Sequence, residues 1–260
     1  MDIIVCIKQV PETTEVKINP ETNTLIREGI PCIVNPFDEN AVEEAIRLRD
    51  KHGGKVTVIT MGPPQASSAL RQTIAMGADE ATLISDKAFA GSDTLATSYA
   101  LSCAIKKIGE FDLIICGKQA IDGDTAQVGP GVAEWLNIPQ ITFAVKLEMN
   151  GNTLKAERLL EETNEVVETA LPALVTVVKQ INEPRYPSLK GQMRAKKTNI
   201  TTWGAKDIGA DEKKIGLTGS PTWVIKIFTP PPKGSGEIIH EEPKEAAIKL
   251  ATKLREKKII

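Results

Sequence analysis

Histidine and cysteine are too few and too scattered in this sequence to form a metal centre or a catalytic set that depends on histidine. Among 260 residues there are two histidines and four cysteines, and no C-x-x-C pair occurs. Zinc and iron–sulfur sites need clustered thiolate and imidazole ligands, so neither site is expected. His52 and His240 lie in polar contexts, whereas Cys6 and Cys116 lie in apolar runs that predict buried strands. We therefore expect no Ser-His-Asp or Cys-His catalytic set.

Long apolar runs and an excess of one charge are missing as well. No run approaches the roughly 18–20 apolar residues of a membrane helix. The apolar segment at residues 3–7 has no basic stretch before it, which argues against a signal peptide. The 32 basic and 34 acidic residues give a net charge of −2, whereas nucleic-acid binding usually needs a basic excess. A cytoplasmic protein without a membrane span or a nucleic-acid partner is expected.

Aromatic residues make up only 4% of the chain, so the core must consist mainly of Val, Ile, Leu and Ala. Over the first 145 residues, short β-rich runs alternate with amphipathic helical patterns. The predicted strands are residues 3–7, 55–61, 81–84, 113–116 and 141–145, and the predicted helices are residues 38–51, 64–76, 93–109 and 124–136. Strand–helix–strand repetition at this spacing predicts a doubly wound parallel sheet of the α/β class.

The pattern changes after residue 145. The Asn150-Gly151 turn between two runs of mixed polarity predicts a β-hairpin, and residues 173–178 form another apolar strand pattern. An antiparallel extension of the sheet is therefore expected. We assign residues 1–181 to a single α/β domain.

The remaining chain has few core-forming runs. Residues 182–200 are polar, basic and marked by prolines, and are expected to form a projecting recognition loop. Residues 201–260 contain one helical pattern, at 243–257, and are too poor in apolar residues to fold alone. They are expected to form a long C-terminal arm that packs on a partner subunit.

Polar segments follow several predicted strands, and in an open parallel sheet ligands bind beyond the carboxyl ends of the strands. The most informative segment is residues 117–130, which is rich in small residues and leads into a helix. Such a segment suits a phosphate or pyrophosphate. The alternative is that Gly117 and Gly123 are ordinary turn glycines and that Asp122 and Asp124 are helix caps. Neither G-x-G-x-x-G after the first strand nor a Walker sequence is present, so a nucleotide-binding cofactor holder without its own acid–base machinery is favoured.

Several segments spread over nearly the whole chain identify a family. They are Val5-Cys6-Ile7-Lys8, Val34-Asn35-Pro36-Phe37-Asp38, Met76-Gly77-Ala78-Asp79, Gly117-Lys118-Gln119-Ala120-Ile121-Asp122-Gly123-Asp124, Asn182-Glu183-Pro184-Arg185-Tyr186, and the set Ala156, Arg158, Glu161, Glu162, Glu165, Val167 with Pro172-Ala173-Leu174-Val175-Thr176-Val177. Together these segments resemble the β subunit of electron transfer flavoproteins.

The resemblance implies a heterodimer with an α subunit and an adenine nucleotide at the loop that begins at Gly117. In one branch of the family this nucleotide is AMP with a structural role, and in the flavin-bifurcating branch of anaerobes it is FAD. Gly123 and Ala126 leave room for a larger ligand, and the loop is similar to that of the bifurcating branch. The cofactor-binding residues implied by position are Cys6, Asn35, Pro36, Phe37, Asp38, Met61, Gly117, Lys118, Gln119, Ala120, Ile121, Asp122, Gly123, Asp124, Thr125, Ala126, Gln127 and Val128.

The same resemblance implies a redox role in a larger complex and no enzyme activity of the chain alone. The bound FAD would divide electrons from NADH between ferredoxin and a flavin dehydrogenase, such as an acyl-CoA dehydrogenase, an enoyl-CoA reductase or a lactate dehydrogenase. Residues 61–66 enter a helix and are a candidate turn for the NAD pyrophosphate, with an ordinary proline-initiated helix as the alternative. Two other functions stay open: a non-bifurcating β subunit that holds structural AMP, and an adenine-nucleotide-binding sensor domain.

A docking surface is the last expectation. Leu189 resembles the leucine that electron transfer flavoproteins insert into acyl-CoA dehydrogenases, and Met193 lies close to it in the sequence. Both are apolar residues in a basic segment that includes Lys190, Arg194, Lys196 and Lys197. An apolar anchor with a charged rim is typical of a small protein–protein interface.

Overall fold

The computed structural model describes residues 1–12, 31–225 and 236–260, together with the backbone of two short strands between the first two ranges. The chain divides into two units, Met1–Ile225 and Lys226–Ile260. The strands are β1 (Asp2–Cys6), β2 (Gln9–Pro11), β3 (Ile18–Asn19), β4 (Thr24–Leu25), β5 (Cys32–Val34), β6 (Lys55–Met61), β7 (Glu80–Ile84), β8 (Leu113–Gly117), β9 (Gln140–Asn150), β10 (Thr153–Leu159), β11 (Asn164–Ala170), β12 (Ala173–Val177) and β13 (Thr201–Trp203). The helices are α1 (Pro36–His52), α2 (Ser67–Met76), α3 (Thr94–Ile108), α4 (Val128–Leu136), α5 (Leu189–Lys197) and α6 (Pro243–Glu256).

Nine strands of the first unit form one mixed sheet in the order β11-β10-β9-β12-β8-β1-β6-β7-β13. The strands from β9 through β12, β8, β1, β6 and β7 to β13 pair in parallel, whereas β10 pairs antiparallel with both β9 and β11. The predicted α/β class, the doubly wound parallel sheet and the antiparallel extension are confirmed. The chain moves outward in one direction from β1 to β6 and β7, then returns to β8 on the other side of β1. The topological switch point therefore lies between β1 and β8.

The two faces of the sheet are covered by different helices. Ile3 and Val5 of β1 belong to one buried cluster with residues of α1 and α2, and Ile4 and Cys6 belong to a second cluster with residues of α3 and α4. Successive side chains of a strand point to opposite faces, so a strand that is covered on both sides is apolar throughout. This explains why residues 3–7 and 113–116 are uninterrupted apolar runs in the sequence.

Helix α4 begins later than the sequence predicts. It was expected from residue 124, but the structure starts it at Val128. Asp124 and Ala126 both have φ near 54°, in the left-handed region, which is incompatible with a right-handed helix. The candidate phosphate loop is thus longer than expected and is irregular up to Gln127.

The segment expected to be a recognition loop contains helix α5, which the sequence did not predict as a helix. Ser188 caps it, because its hydroxyl oxygen accepts a hydrogen bond from the Gly191 N–H at 3.0 Å. The helix packs on α2, and a Cβ atom on Gly191 would lie 2.1 Å from the carbonyl oxygen of Ala75. Glycine at this position is what allows the close approach of the two helices.

The structure also differs from the expected start of the C-terminal arm. Residues 201–203 form β13 at the edge of the sheet, and Ala205, Ile208 and Ile215 are buried in the cluster that contains α3 and α4. The first unit accordingly extends to Ile225. These apolar residues follow no helical or strand period, which is why the sequence pattern did not assign them to the core.

The second unit contains α6, as expected for residues 243–257, and none of the residues of this helix is buried. Its lysines pair with acidic residues of the same unit, Lys249 with Glu241 and Lys253 with Glu237. Residues 226–235 of the predicted arm lie outside the described residues. Within the part of the chain that the structure describes, no helix is long and apolar enough to cross a membrane.

Candidate functional site

The candidate site lies at the carboxyl ends of β1 and β8, where the direction of the strand order reverses. The first turn of α1 approaches it on one side of the sheet, and the segment between β8 and α4, residues 118–127, covers it. We call residues 118–127 the switch loop. Open α/β sheets bind their ligands at this place, so the topology by itself marks the loop.

Asn35 fixes the switch loop to the start of α1. Its side chain is fully buried, and its Nδ2 donates a hydrogen bond to the Gln119 carbonyl oxygen at 2.8 Å. Its Oδ1 accepts a hydrogen bond from the Ile121 N–H at 3.1 Å. The next residue, Pro36, occupies the first position of α1, where the missing N–H costs nothing. One amide side chain thus determines the path of the loop over three residues.

Asp38 connects the ends of the two central strands. Its buried carboxylate accepts a hydrogen bond from the Lys8 N–H at 2.7 Å and another from the Gly117 N–H at 3.2 Å. Burial raises the pKa of Asp38 to about 7, against the opposing effect of hydrogen bonds from Asn35, Lys8 and Gly117. A Cβ atom on Gly117 would lie 2.2 Å from Oδ1 of Asp38, so the close packing of the carboxylate requires a glycine there.

The middle of the switch loop carries two acidic side chains that are held by polar neighbours. Nζ of Lys8 lies 2.7 Å from Oδ1 of Asp122, and Nε2 of Gln119 donates a hydrogen bond to Oδ1 of Asp124 at 2.5 Å. Residues 122–125 are exposed. The loop is therefore open to solvent directly before the N-terminus of α4, where N–H groups favour an anion.

Small residues let α4 approach the sheet and α3. A Cβ atom on Gly129 would lie 2.6 Å from Cγ2 of Thr176. One on Gly131 would lie 2.7 Å from Oγ of Ser98. Gln127, just before the helix, accepts a hydrogen bond from Oγ1 of Thr94 at 2.9 Å. Thr94 was not singled out in the sequence, because only the fold brings the start of α3 to the loop.

Cys6, Met61 and Phe37 are expected site residues that lie outside the switch loop. Cys6 is buried in the core beside Cys116, its register partner in β8. The hydrogen bond with Cys6, together with burial, raises the pKa of the Cys116 thiol well above its ordinary value. Met61 is half-buried at the end of β6, and the Phe37 ring lies 5.1 Å from Nζ of Lys179. Their role in binding a cofactor stays a prediction.

Phe143 is a further residue at this edge that the sequence did not indicate. Its φ of 63° is unusual for an aromatic residue within a strand, and the pairing of β9 with its neighbours is irregular on either side of it. Its N–H donates a hydrogen bond to Oγ1 of Thr176 at 3.1 Å, and Nζ of Lys118 lies 5.2 Å from its ring centre. Lys118 is thereby directed away from Asp122 and towards β9.

A polar clamp joins α1 to the segment that leads to α5. Arg185 donates hydrogen bonds from Nε and Nη2 to the two carboxylate oxygens of Glu43, at 2.8 and 3.1 Å, and Nδ2 of Asn182 donates to Oε2 of Glu44 at 2.9 Å. Although burial opposes it, the hydrogen bonds from Arg185 lower the pKa of Glu43. The segment at residues 182–186, one of those that identified the family, thus contacts α1 directly.

Leu189 and Met193 lie on α5 and form a second surface, which we call the α5 patch. Their side chains are 80% and 61% exposed and lie one helical turn apart. Arg194 was expected in the charged rim, but its Nη2 donates to the carbonyl oxygens of Ile74, at 2.9 Å, and Ala78. Arg194 therefore anchors α5 to the end of α2 and does not form part of the rim.

The chemistry available at the switch loop is binding and positioning. The charged and polar side chains described above form hydrogen bonds and ion pairs with one another and with the main chain. Among the described residues, no group of three or more His, Cys, Asp or Glu side chains is arranged to hold a metal ion. An exposed loop that is fixed at both ends beside a helix N-terminus can hold the phosphates of a nucleotide.

Similarity to known proteins extends over most or all of the chain. Residues 22–208 match the electron transfer flavoprotein domain. Over the full length of both chains, the sequence is 53% identical to the electron transfer flavoprotein subunit beta of Thermoanaerobacterium thermosaccharolyticum and 50% identical to the caffeyl-CoA reductase-Etf complex subunit CarD of Acetobacterium woodii. It is 48% identical to protein FixA of Azorhizobium caulinodans over 88% of this chain and 85% of that protein.

Proposed function

The chain belongs to the electron transfer flavoprotein family as a β subunit, and from this premise we propose that it binds FAD at the switch loop and takes part in flavin-based electron bifurcation. In the proposed complex, the chain pairs with an electron transfer flavoprotein α subunit and receives electrons from NADH. When bound, FAD supplies the chemistry that converts a hydride into two separately transferred electrons, one for ferredoxin and one for a flavin dehydrogenase. The residues of this chain bind and position the cofactor.

The observation that carries the proposal is the attachment of the switch loop at the switch point. The loop is held at Gln119 and Ile121 by Asn35, and its exposed residues 122–125 precede the N-terminus of α4. This arrangement supports binding of a pyrophosphate, since loop and helix N–H groups can both point at it. A Cβ atom on Gly123 would have no neighbour within 4 Å, so the space beside this residue is open, as the proposed binding of FAD requires.

The bifurcating role is supported by the relatives. The similar protein CarD is named as a subunit of a caffeyl-CoA reductase-Etf complex, so an enoyl-CoA reductase is one candidate partner of this chain.

The turn after β6 is the candidate binding site for the pyrophosphate of NAD. There, the Gly62 N–H donates to the Ile84 carbonyl oxygen, and Pro64–Ala66 form a short 3-10 helix before α2.

Cofactor content tests the proposal. We expect the purified two-subunit complex to contain two flavins and no AMP, and NADH to bleach the flavin absorption. Chromatography of the released nucleotides and the visible absorption spectrum measure both quantities. One flavin with one AMP per complex would assign the chain to the non-bifurcating type. An adenine nucleotide in the isolated chain, with no α subunit and no flavin, would favour the sensor domain.

We further propose that the α5 patch docks the partner dehydrogenase. Because Leu189 is 80% exposed, its truncation removes little from the fold, whereas an apolar anchor that becomes buried at an interface contributes strongly to binding. We expect Leu189→Ala to weaken docking by about 1–3 kcal/mol. The measurement is the rate of electron transfer to the native dehydrogenase as a function of its concentration.

A matched control is Val166→Ala. Val166 is 60% exposed and lies on the edge strand β11. Helix α2, on which α5 packs, contacts β7, which lies beside the opposite edge strand β13. This variant should transfer electrons like the wild type. Both variants should keep the cofactors and the NADH oxidation of the free complex. If Leu189→Ala shows the wild-type rate at sub-saturating dehydrogenase, the α5 patch is not the docking surface.

The C-terminal unit is proposed to pack on the α subunit. Its helix α6 has no buried residue, and Ile248 and Leu250 are 62% and 51% exposed. A helix of this length without packing is marginal in water, so an apolar partner surface would stabilise it.

A further inference from the structure

The main chain of Lys8 is held in place by hydrogen bonds at the candidate site. It follows β1 directly, and its N–H donates a hydrogen bond to Oδ2 of Asp38 at 2.7 Å. Its carbonyl oxygen accepts a hydrogen bond from the Asn35 N–H at 2.9 Å. With the main chain held on both sides, only the flexible side chain of Lys8 can change its partner.

The ammonium group of Lys8 contacts the exposed middle of the switch loop. Nζ lies 2.7 Å from Oδ1 of Asp122, and the two side chains are 48% and 30% exposed. An exposed ion pair of this kind contributes little to folding, so its breakage is cheap. The lysine at the end of β8 is directed elsewhere, because Nζ of Lys118 lies over the Phe143 ring.

The switch loop carries negative side chains, although its proposed ligand is a negatively charged phosphate. Asp122 and Asp124 are both exposed, and both would repel a phosphate held by the loop. A cation that neutralises one carboxylate can neutralise a phosphate instead, provided that it reaches the same loop. Lys8 meets this condition, since its ammonium group already lies against the loop.

We propose that Lys8 is a phosphate ligand of the nucleotide and that Asp122 competes with the phosphate for its ammonium group. The ion pair of Lys8 with Asp122 then sets the affinity of the site for anionic ligands. Asp122 lowers this affinity and Lys8 raises it. The inference rests on the proposed function, because it presupposes an adenine nucleotide at the switch loop.

The test uses the two-subunit complex after removal of the nucleotide bound to this chain, with AMP and FAD as probes titrated at low and high salt. The variants are Lys8→Met, Asp122→Asn and the double variant. The matched control is Lys55→Met, which removes a lysine from another exposed ion pair, with Glu80 at 3.2 Å, at the amino end of β6. We expect Lys8→Met to weaken binding of both probes about tenfold or more and to flatten the salt dependence, since a charged hydrogen bond to phosphate is lost.

Asp122→Asn should tighten binding several-fold in the presence of Lys8 and by clearly less in the double variant, where only the repulsion between Asp122 and the phosphate is relieved. Lys55→Met should bind like the wild type. Wild-type affinity in Lys8→Met would overturn the inference, and so would equal tightening by Asp122→Asn with and without Lys8. A wild-type complex that binds neither AMP nor FAD would instead remove the proposed function, and this inference with it.

Discussion

Asn35→Ala is expected to abolish nucleotide binding at the switch loop and to lower the free energy of unfolding by about 2–5 kcal/mol. The side chain satisfies the Gln119 carbonyl oxygen and the Ile121 N–H, and it has no exposed surface. Its truncation leaves two main-chain groups without their partner and opens a cavity beneath the loop. Nucleotide content of the purified two-subunit complex and its unfolding in urea at fixed protein concentration measure the two effects.

Asn164→Ala provides the matched control for this prediction. Its Nδ2 also donates a hydrogen bond, to Oε1 of Glu157 at 2.6 Å, but the pair lies on the exposed surface of the β10–β11 hairpin. The same chemical change should cost less than about 0.5 kcal/mol there and leave the nucleotide in place. If Asn35→Ala retained full nucleotide content, the loop would not depend on this side chain and the site would have to be held in another way.

Strands that are rich in apolar and β-branched residues were predictable from the sequence. Strand β6 was predicted with its observed bounds, Lys55–Met61, because a short run of Val, Ile and Thr is typical of a strand. The switch loop was predictable for a related reason, since it combines small residues with a position after a buried strand. What could not be predicted is its attachment, because Asn35 and Ile121 are 86 residues apart in the chain. No local pattern carries such a contact.

Helix α5 shows a different limit of sequence patterns. It carries no apolar period, since Leu189 and Met193 face solvent and only Ala195 is buried. The helix is held by polar contacts across the chain: Arg71 donates hydrogen bonds to the carbonyl oxygens of Ala195 and Thr198, and Arg194 donates to those of α2. The sequence of a helix that is stabilised by arginine–carbonyl contacts cannot be distinguished by its pattern from that of a basic loop. Leu189 and Met193 were nevertheless singled out as docking candidates, because that prediction rests on residue type and not on secondary structure.

Asp38 is expected to make the free energy of unfolding depend strongly on pH. Burial raises its pKa in the folded chain to about 7, whereas the unfolded value is near 3.8. Between these two values the folded chain holds a proton that the unfolded chain releases, so stability is lost as the pH rises through this window. The full effect of this difference is about 4 kcal/mol. Asp38→Asn cannot titrate, and the loss of stability with rising pH should disappear in this variant.

The measurement is the free energy of unfolding of the two-subunit complex for wild type and Asp38→Asn between pH 4.5 and 8. The wild type should lose stability relative to the variant throughout this range, and the two curves should run in parallel only above about pH 8. Asp112→Asn is the matched control, because Asp112 also accepts a main-chain N–H, from Asp2 at 2.7 Å, but its side chain is 47% exposed at the amino ends of the strands. It should keep the wild-type pH dependence. Parallel curves for wild type and Asp38→Asn from pH 4.5 upward would show that Asp38 is already ionised there. The carboxylate would then join β1 to β8 as a permanent anion, and the switch point would not respond to protons near neutral pH.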